Sequence, residues 1–379
     1  MIINNKSNYY IFLLSISSCI YSYTVDFSDS AKKIVSKNMK QYQIPGASVI
    51  FYKNGQSFLL HLGYADKKRK KEINEHTLFE LGSISKVFTC LLLAKELASG
   101  NMNLEDSCIE YIPSLKSHKK LQSMTLEKLA THTSGLSFNA PASIKSTRGL
   151  LKHLTCYKPI RREKTWSYSN HGIELLRIAL EESLEDSYNT ILVSNLLLPL
   201  GMKPIGTKIP YQYLSRRATP YGKDGKQTIY WNHPFLEGSA ALYASSSDMF
   251  LFLKAALGVA DIDESLKEAM KITQTTHVSI KNGINYGLGW QINNLACLYP
   301  SYIPTNISNC PAQSIKKYDK AYTGKVLLDK TGTTNGFHAY IGVIPDEKIG
   351  VVIMINRTLP SGYKVVRKMG RDILRAYRS

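Results

Sequence analysis

Lys330-Thr331-Gly332 is the tripeptide in this chain best suited to chemistry. On an edge strand, a lysine ammonium supplies a fixed positive charge, and the strand beyond it offers unpaired backbone N–H groups to a substrate. Its flanks read as strand: Val326-Leu327-Leu328 lead in, Phe337 to Ile344 follow, and Val351 to Ile355 return after a turn at Pro345-Asp346-Glu347-Lys348. A second element, Gly82-Ser83-Ile84-Ser85-Lys86, opens an apolar run from Val87 to Leu97 that stops at Ser99-Gly100, the pattern of a buried helix closed by glycine. Ser83 and Lys86 share a helical face, so Lys86 Nζ can reach Ser83 Oγ. Burial and the positive end of the helix dipole both disfavour an ammonium there, which makes Lys86 a proton acceptor for a Ser83 nucleophile.

Tyr168-Ser169-Asn170 stands just before a helical stretch carrying Ile173, Leu175, Leu176, Ile178 and Ala179. A phenol near these lysines is expected to have a lowered pKa and to shuttle the serine proton, while the Asn170 amide can hold a substrate carbonyl. Spacing alone is not selective. Ser-x-x-Lys recurs at Ser30, Ser117, Ser314 and Ser361, and Tyr-x-Asn at Tyr52 and Tyr230. Context selects the three elements: only Ser83 opens a long buried helix, and only Tyr168 directly precedes one. Ser85, the rival nucleophile, lies on another side of the helix from Lys86. His132 is expected to be structural and His338 peripheral, because lysine and tyrosine already supply the base.

In this order the three elements resemble the penicillin-recognising serine hydrolases, of which Ser-x-x-Lys and Lys-Thr-Gly are motifs. Tyr-Ser-Asn is similar to the class C β-lactamases and their relatives, the D-alanyl-D-alanine peptidases and esterases. Connecting phrases such as Phe79-Glu80-Leu81-Gly82-Ser83, Leu129-Ala130-Thr131-His132-Thr133-Ser134-Gly135-Leu136 and Gly287-Leu288-Gly289-Trp290 extend the resemblance over roughly residues 30 to 375. It implies a secreted hydrolase opening β-lactam rings through a Ser83 acyl-enzyme. A D-alanyl-D-alanine carboxypeptidase or endopeptidase and a small-ester hydrolase are the alternatives, followed by a penicillin-binding protein that acylates without turnover.

The resemblance also implies roles. Ser83, Lys86, Tyr168 and Lys330 would be catalytic, with Lys330 stabilising a Tyr168 phenolate. The backbone N–H groups of Ser83 and Thr333 would form the oxyanion hole, and Asn139, Asn170, Thr331, Gly332, Ser361 and Lys364 would bind substrate. Deacylation would use Tyr168 or Lys86 as base toward water. Two departures stand out. His338 occupies a position where the family usually has glycine, and Ser361 and Lys364 replace an Asn and an Arg near the substrate carboxylate, a grip that lysine cannot copy.

The elements that must position these residues follow from the wider pattern. Residues 30 to 42 read as an amphipathic helix, and Ala47–Tyr52 with Gln56–Tyr64 as a hairpin across Asn54-Gly55. The pattern is mostly helical from Ser83 to about Leu257, strands return from about Tyr286, and Tyr363–Tyr377 closes as a helix. The expected fold is α+β: an antiparallel sheet flanked by helices, built from residues 23–82 and 285–379, with a mainly helical domain, 83–284, inserted. Lys6 and the apolar run Tyr9 to Ile20 read as a signal peptide, residues 1–22, directing the chain to the periplasm; Ile16-Ser17-Ser18-Cys19 offers lipidation at Cys19 as the alternative. Cys297 and Cys310 are the best disulfide candidates, Cys90 reads as a buried free thiol, and pairing of Cys108 with Cys156 is left open. No cofactor is expected, and no grouping has metal-ligand spacing. A net charge of +19 invites a nucleic-acid reading, but the densest run, Lys67 to Lys71, is a solvated loop without a nucleic-acid motif. The partners expected are a small β-lactam or D-alanyl peptide and an anionic cell envelope, with the chain a monomer.

Overall fold

Sheet order explains how a lysine strand near one end of the chain meets a serine near the other. The computed structural model describes residues 28–378 apart from 142, 145, 157–164, 233–234, 281–283, 296–312 and 318–324. The N-terminal apolar segment with Cys19, and the expected Cys297–Cys310 bridge, lie outside the described residues. Gly46–Lys53 and Gln56–Asp66 form a hairpin across Asn54-Gly55, where both residues take the positive φ values (47° and 89°) that a tight two-residue turn needs. Gly46–Lys53 then pairs antiparallel with the late strand Ile349–Ile355, which pairs with His338–Ile344, which pairs with Val326–Thr333. Both ends of the chain therefore build one sheet, continued on the far side by Gln291–Asn294, Ile284–Tyr286 and Val278–Ile280. Strands return at Val278, upstream of Tyr286, because a three-residue strand, Val278-Ser279-Ile280, close behind the helix Glu264–Gln274 is too short to show a period of its own.

Alternation along these strands divides the core. Val35, Tyr340, Ile353 and Ile373 pack on one face, where the helix of residues 28–41 and the C-terminal helix Lys364–Ala376 lie. Ile341, Val352 and Met354 belong to the cluster on the other face, with Phe88 of Ser85–Ala98 and Phe252 of Ser246–Ala256. This is the α+β arrangement of an antiparallel sheet flanked by helices. Cys90 is a buried free thiol; Cys108, buried, and Cys156, exposed, are also free, so the pairing left open between them does not form. Among the described residues no helix is long and apolar enough to cross a membrane.

One packing contact matters most for the site. Val326–Thr333 pairs with Gln291–Asn294 only through Val326 to Asp329, so from Lys330 onward its outer edge has no strand partner among the described residues. The short turn Gly82–Ile84, carrying Ser83, fills that space immediately before the helix Ser85–Ala98. The fit requires glycine on both sides. A Cβ on Gly332 would lie 1.8 Å from the Leu81 carbonyl oxygen, and one on Gly82 would lie 2.5 Å from the Thr333 nitrogen. Gly332→Ala should therefore push the strand and the Ser83 turn apart, lowering stability by about 2–3 kcal/mol, as measured by urea unfolding. Unchanged stability would show that the contact yields without cost.

Candidate active site

Ser83 sits on the turn with its side chain partly open to a cleft, while Lys86, the second residue of the helix, is fully buried. Lys86 Nζ lies 3.0 Å from Ser83 Oγ and donates to the Ser239 carbonyl at 2.8 Å. The backbone of that residue is held from its other side. Glu174, on the helix Asn170–Leu184, accepts from the Ser239 N–H at 2.7 Å and from Arg177 Nε at 2.7 Å. Burial, and then the neighbouring charge of Lys330, push the Lys86 ammonium well below the ordinary lysine value. Ser85 is occupied elsewhere: its hydroxyl donates to the Gly82 carbonyl and accepts from the Leu242 N–H.

Tyr168 reaches the same point from the helical side. Ser169 caps the helix Asn170–Leu184 by accepting from the Gly172 N–H at 2.9 Å, and His132 Nδ1 accepts from the Ser169 N–H at 3.2 Å. The His132 ring packs on Tyr168 with centroids 4.3 Å apart, so this histidine is a structural support. Lys86 and Lys330 Nζ lie 5.0 and 4.8 Å from the Tyr168 ring centroid. The expected lowering of the phenol pKa does not occur. Burial pushes Tyr168 up, only partly offset by its hydrogen bond with Ser83. The reason lies in the order of titration. Both lysines are themselves depressed, Lys330 to about 8 by burial, so neither remains a cation at the pH where a buried phenol would ionise. Burial thus holds Tyr168 toward the neutral phenol, the form that can donate a hydrogen bond.

The Beta-lactamase family model matches residues 31–374. The chain belongs to the Beta-lactamase family. A β-lactamase of Pseudomonas fluorescens is 28% identical over 346 residues, covering 90% of this chain and 96% of the relative. A class C β-lactamase solved in complex with cefoxitin superposes with a TM-score of 0.86 at 27% identity, covering 93% of this chain and 99% of that one. A D-alanine carboxypeptidase from Burkholderia cenocepacia shares the fold, with a TM-score of 0.83 at 24% identity over 93% of this chain and 99% of its own.

In this β-lactamase-family chain, Ser83, Tyr168, Lys330 and Thr333 share one cleft of about 970 Å³ with Asn139, Asn170, Thr331, Ser361 and Lys364. Asn170 Nδ2 donates to Asn139 Oδ1 at 2.7 Å. Gly332 does not line the cleft; its part is the close approach to Leu81. Other cleft and supporting residues escaped the sequence reading. Arg367 lines the cleft one helical turn beyond Lys364, 4% exposed, with its Nη2 donating to Gln291 Oε1 at 3.3 Å. Its only signal was the i,i+3 spacing on an amphipathic helix. Asp329, fully buried, accepts from Arg371 Nη2 at 2.8 Å and fastens that helix to the lysine strand. Burial favours its acid form, but Arg371 and Arg367 hold it below the usual carboxylate range. His338, expected at the periphery, is buried in the cleft wall. Among the described residues no His, Cys, Asp or Glu grouping could hold a metal ion.

Glu174 anchors the backbone at Ser239, the residue whose carbonyl Lys86 contacts, and also neutralises the buried Arg177. Glu174→Ala should cost about 3–5 kcal/mol of stability, because it strands a buried guanidinium. Thermal or urea unfolding would check it; a loss below about 1 kcal/mol would show that Glu181 alone satisfies Arg177.

Proposed function

We propose that this protein is a serine hydrolase that opens β-lactam rings through an acyl-enzyme on Ser83. The observation that carries the reading is the Ser83 hydroxyl held 3.0 Å from a buried Lys86 amine with a strongly depressed proton affinity. As a neutral amine, Lys86 donates to the Ser239 carbonyl and keeps its lone pair for the Ser83 proton. Ser83 Oγ then bonds to the lactam carbonyl carbon, and negative charge develops on the carbonyl oxygen between the N–H groups of Ser83 and Thr333. Collapse breaks the C–N bond. The leaving nitrogen takes the Tyr168 proton, and Lys86 replaces it with the proton it removed from Ser83. In deacylation, water gives its proton to Lys86 as its oxygen bonds to the ester carbon, the C–Oγ bond breaks, and the proton passes to Ser83.

The substrate proposed is an anion. Lys223, Lys330, Lys364 and Arg367 line the cleft against one acid, Asp224. Arg367 supplies a guanidinium close to where Lys364 leaves a weaker point charge. A D-alanyl peptide also ends in a carboxylate, so this charge suits both substrate classes, and turnover separates them. With residues 1–22 read as a signal peptide, we place the activity in the periplasm.

Reaction with a chromogenic cephalosporin tests the reading. Many turnovers are expected, abolished by Ser83→Ala and largely retained by Ser85→Ala. A burst of one equivalent would make the chain a binding protein, and no reaction would favour the peptidase or esterase alternatives. Lys330 gives a pH signature. With a pKa of about 8 it is a cation below that pH and neutral above it, so kcat/KM should fall as pH rises through about 8. Lys330→Arg should remove this basic limb at reduced kcat, and Lys330→Ala should lower kcat by about two to three orders of magnitude. A limb that persists in the arginine variant would assign it to another group.

A further inference from the structure

His338 heads the strand His338–Ile344 and pairs directly with Thr333, the residue whose N–H is aimed at the substrate oxyanion in the reading above. Its imidazole, 1% exposed, joins the walls of the cleft. On one side the Leu359 N–H donates to His338 Nε2 at 2.9 Å. On the other, His338 Nδ1 lies 2.8 Å from Thr333 Oγ1. Leu359 belongs to the cleft-lining segment that leads into the C-terminal helix, and Thr358 Oγ1 donates to the Thr334 carbonyl at 2.9 Å beside it.

These contacts fix a proton. A backbone N–H can only donate, so Nε2 must be the unprotonated nitrogen. Burial holds the ring neutral at pH 7 by lowering its pKa to about 4, and the single ring proton then resides on Nδ1. Nδ1–H faces the Thr333 hydroxyl with the Gly332 backbone beside it, and toward a protonated nitrogen the Thr333 oxygen can only accept. The Thr333 hydroxyl hydrogen is thereby turned away from His338, and Thr333 is exposed at the cleft. Among the described residues no other side chain or carbonyl takes it within hydrogen-bond distance.

We propose that His338 is a positioning residue that orients the Thr333 hydroxyl as a hydrogen-bond donor into the cleft, adding to the Thr333 N–H a second donor for an acceptor group of the substrate, and that ties the Thr358–Tyr363 segment to the same strand. Glycine at this position could do neither. The inference rests on the proposed reaction at Ser83 for its substrate, but not for its geometry.

Two measurements separate these. In the intact protein at pH 7, ¹⁵N chemical shifts of the His338 ring should report a protonated Nδ1 and a bare Nε2; an Nε2-protonated or doubly protonated ring overturns the proposal whatever the turnover. In kinetics, Thr333→Val keeps the backbone N–H and removes the hydroxyl, and should lower kcat/KM for a cephalosporin about tenfold, through KM more than kcat. His338→Phe should cost a similar factor in the native background and less than twofold in the Thr333→Val background. Equal costs in both backgrounds, or an unaffected Thr333→Val enzyme, would reduce His338 to packing. A native chain inert to β-lactams would sink the hydrolase reading while the ring tautomer still decides this one.

Discussion

An amine sealed from water governs this site. Lys86 is enclosed by its own helix, the Ser239 carbonyl and the Tyr168 ring, with Lys330 close enough to add its charge. A second ammonium in that space would be solvated by almost nothing, so one of the two amines must give up its proton. Burial weighs most on Lys86, the one touching Ser83, whose ammonium is held well below the ordinary lysine value. Basicity at the serine is therefore a consequence of packing, and each supporting element can be understood by what it does to that enclosure. Glu174 anchors the backbone at Ser239 through its N–H, His132 and Ser169 hold Tyr168 over the lysines, and the Gly332–Leu81 contact brings the lysine strand close enough to complete the pocket.

The same contact couples the two halves of the fold. Where strand pairing to Gln291–Asn294 ends at Asp329, the serine turn takes its place along the strand edge. Asp329 anchors that end of the strand to the C-terminal helix through Arg371, and the same helix delivers Arg367 to the cleft. Lys330 and Arg367, two cations of the cleft, are thus both positioned from one buried carboxylate. Buried ion pairs of this kind contribute little net stability, and they fix geometry.

Much of this was legible in the sequence because it is local. The Ser83–Lys86 spacing, the apolar helix closed by Ser99-Gly100, the Ser169 cap and the alternating strands around Lys330 each depend on neighbours within a few residues. What escaped depends on residues far apart in the chain. The Tyr168 pKa is set by burial and by the titration order of its neighbours, which spacing does not encode. Glu174 acts on Lys86 through the backbone at Ser239, and His338 links Thr333 to Leu359 across two connections. Gly332 looked like a substrate contact because it sits inside a motif, whereas the space it leaves for Leu81 is visible only in three dimensions.

The central claim is that Lys86 is the neutral amine and Lys330 the cation. Side-chain ¹⁵N NMR of the lysines in the native protein, with Lys86→Ala and Lys330→Ala spectra for assignment, measures this directly. The account predicts that Lys86 loses its proton at lower pH than Lys330 and is neutral at pH 7, while Lys330 titrates near 8. An ammonium at Lys86 at pH 7 beside a neutral Lys330 would contradict it, because the group in contact with Ser83 could then accept no proton.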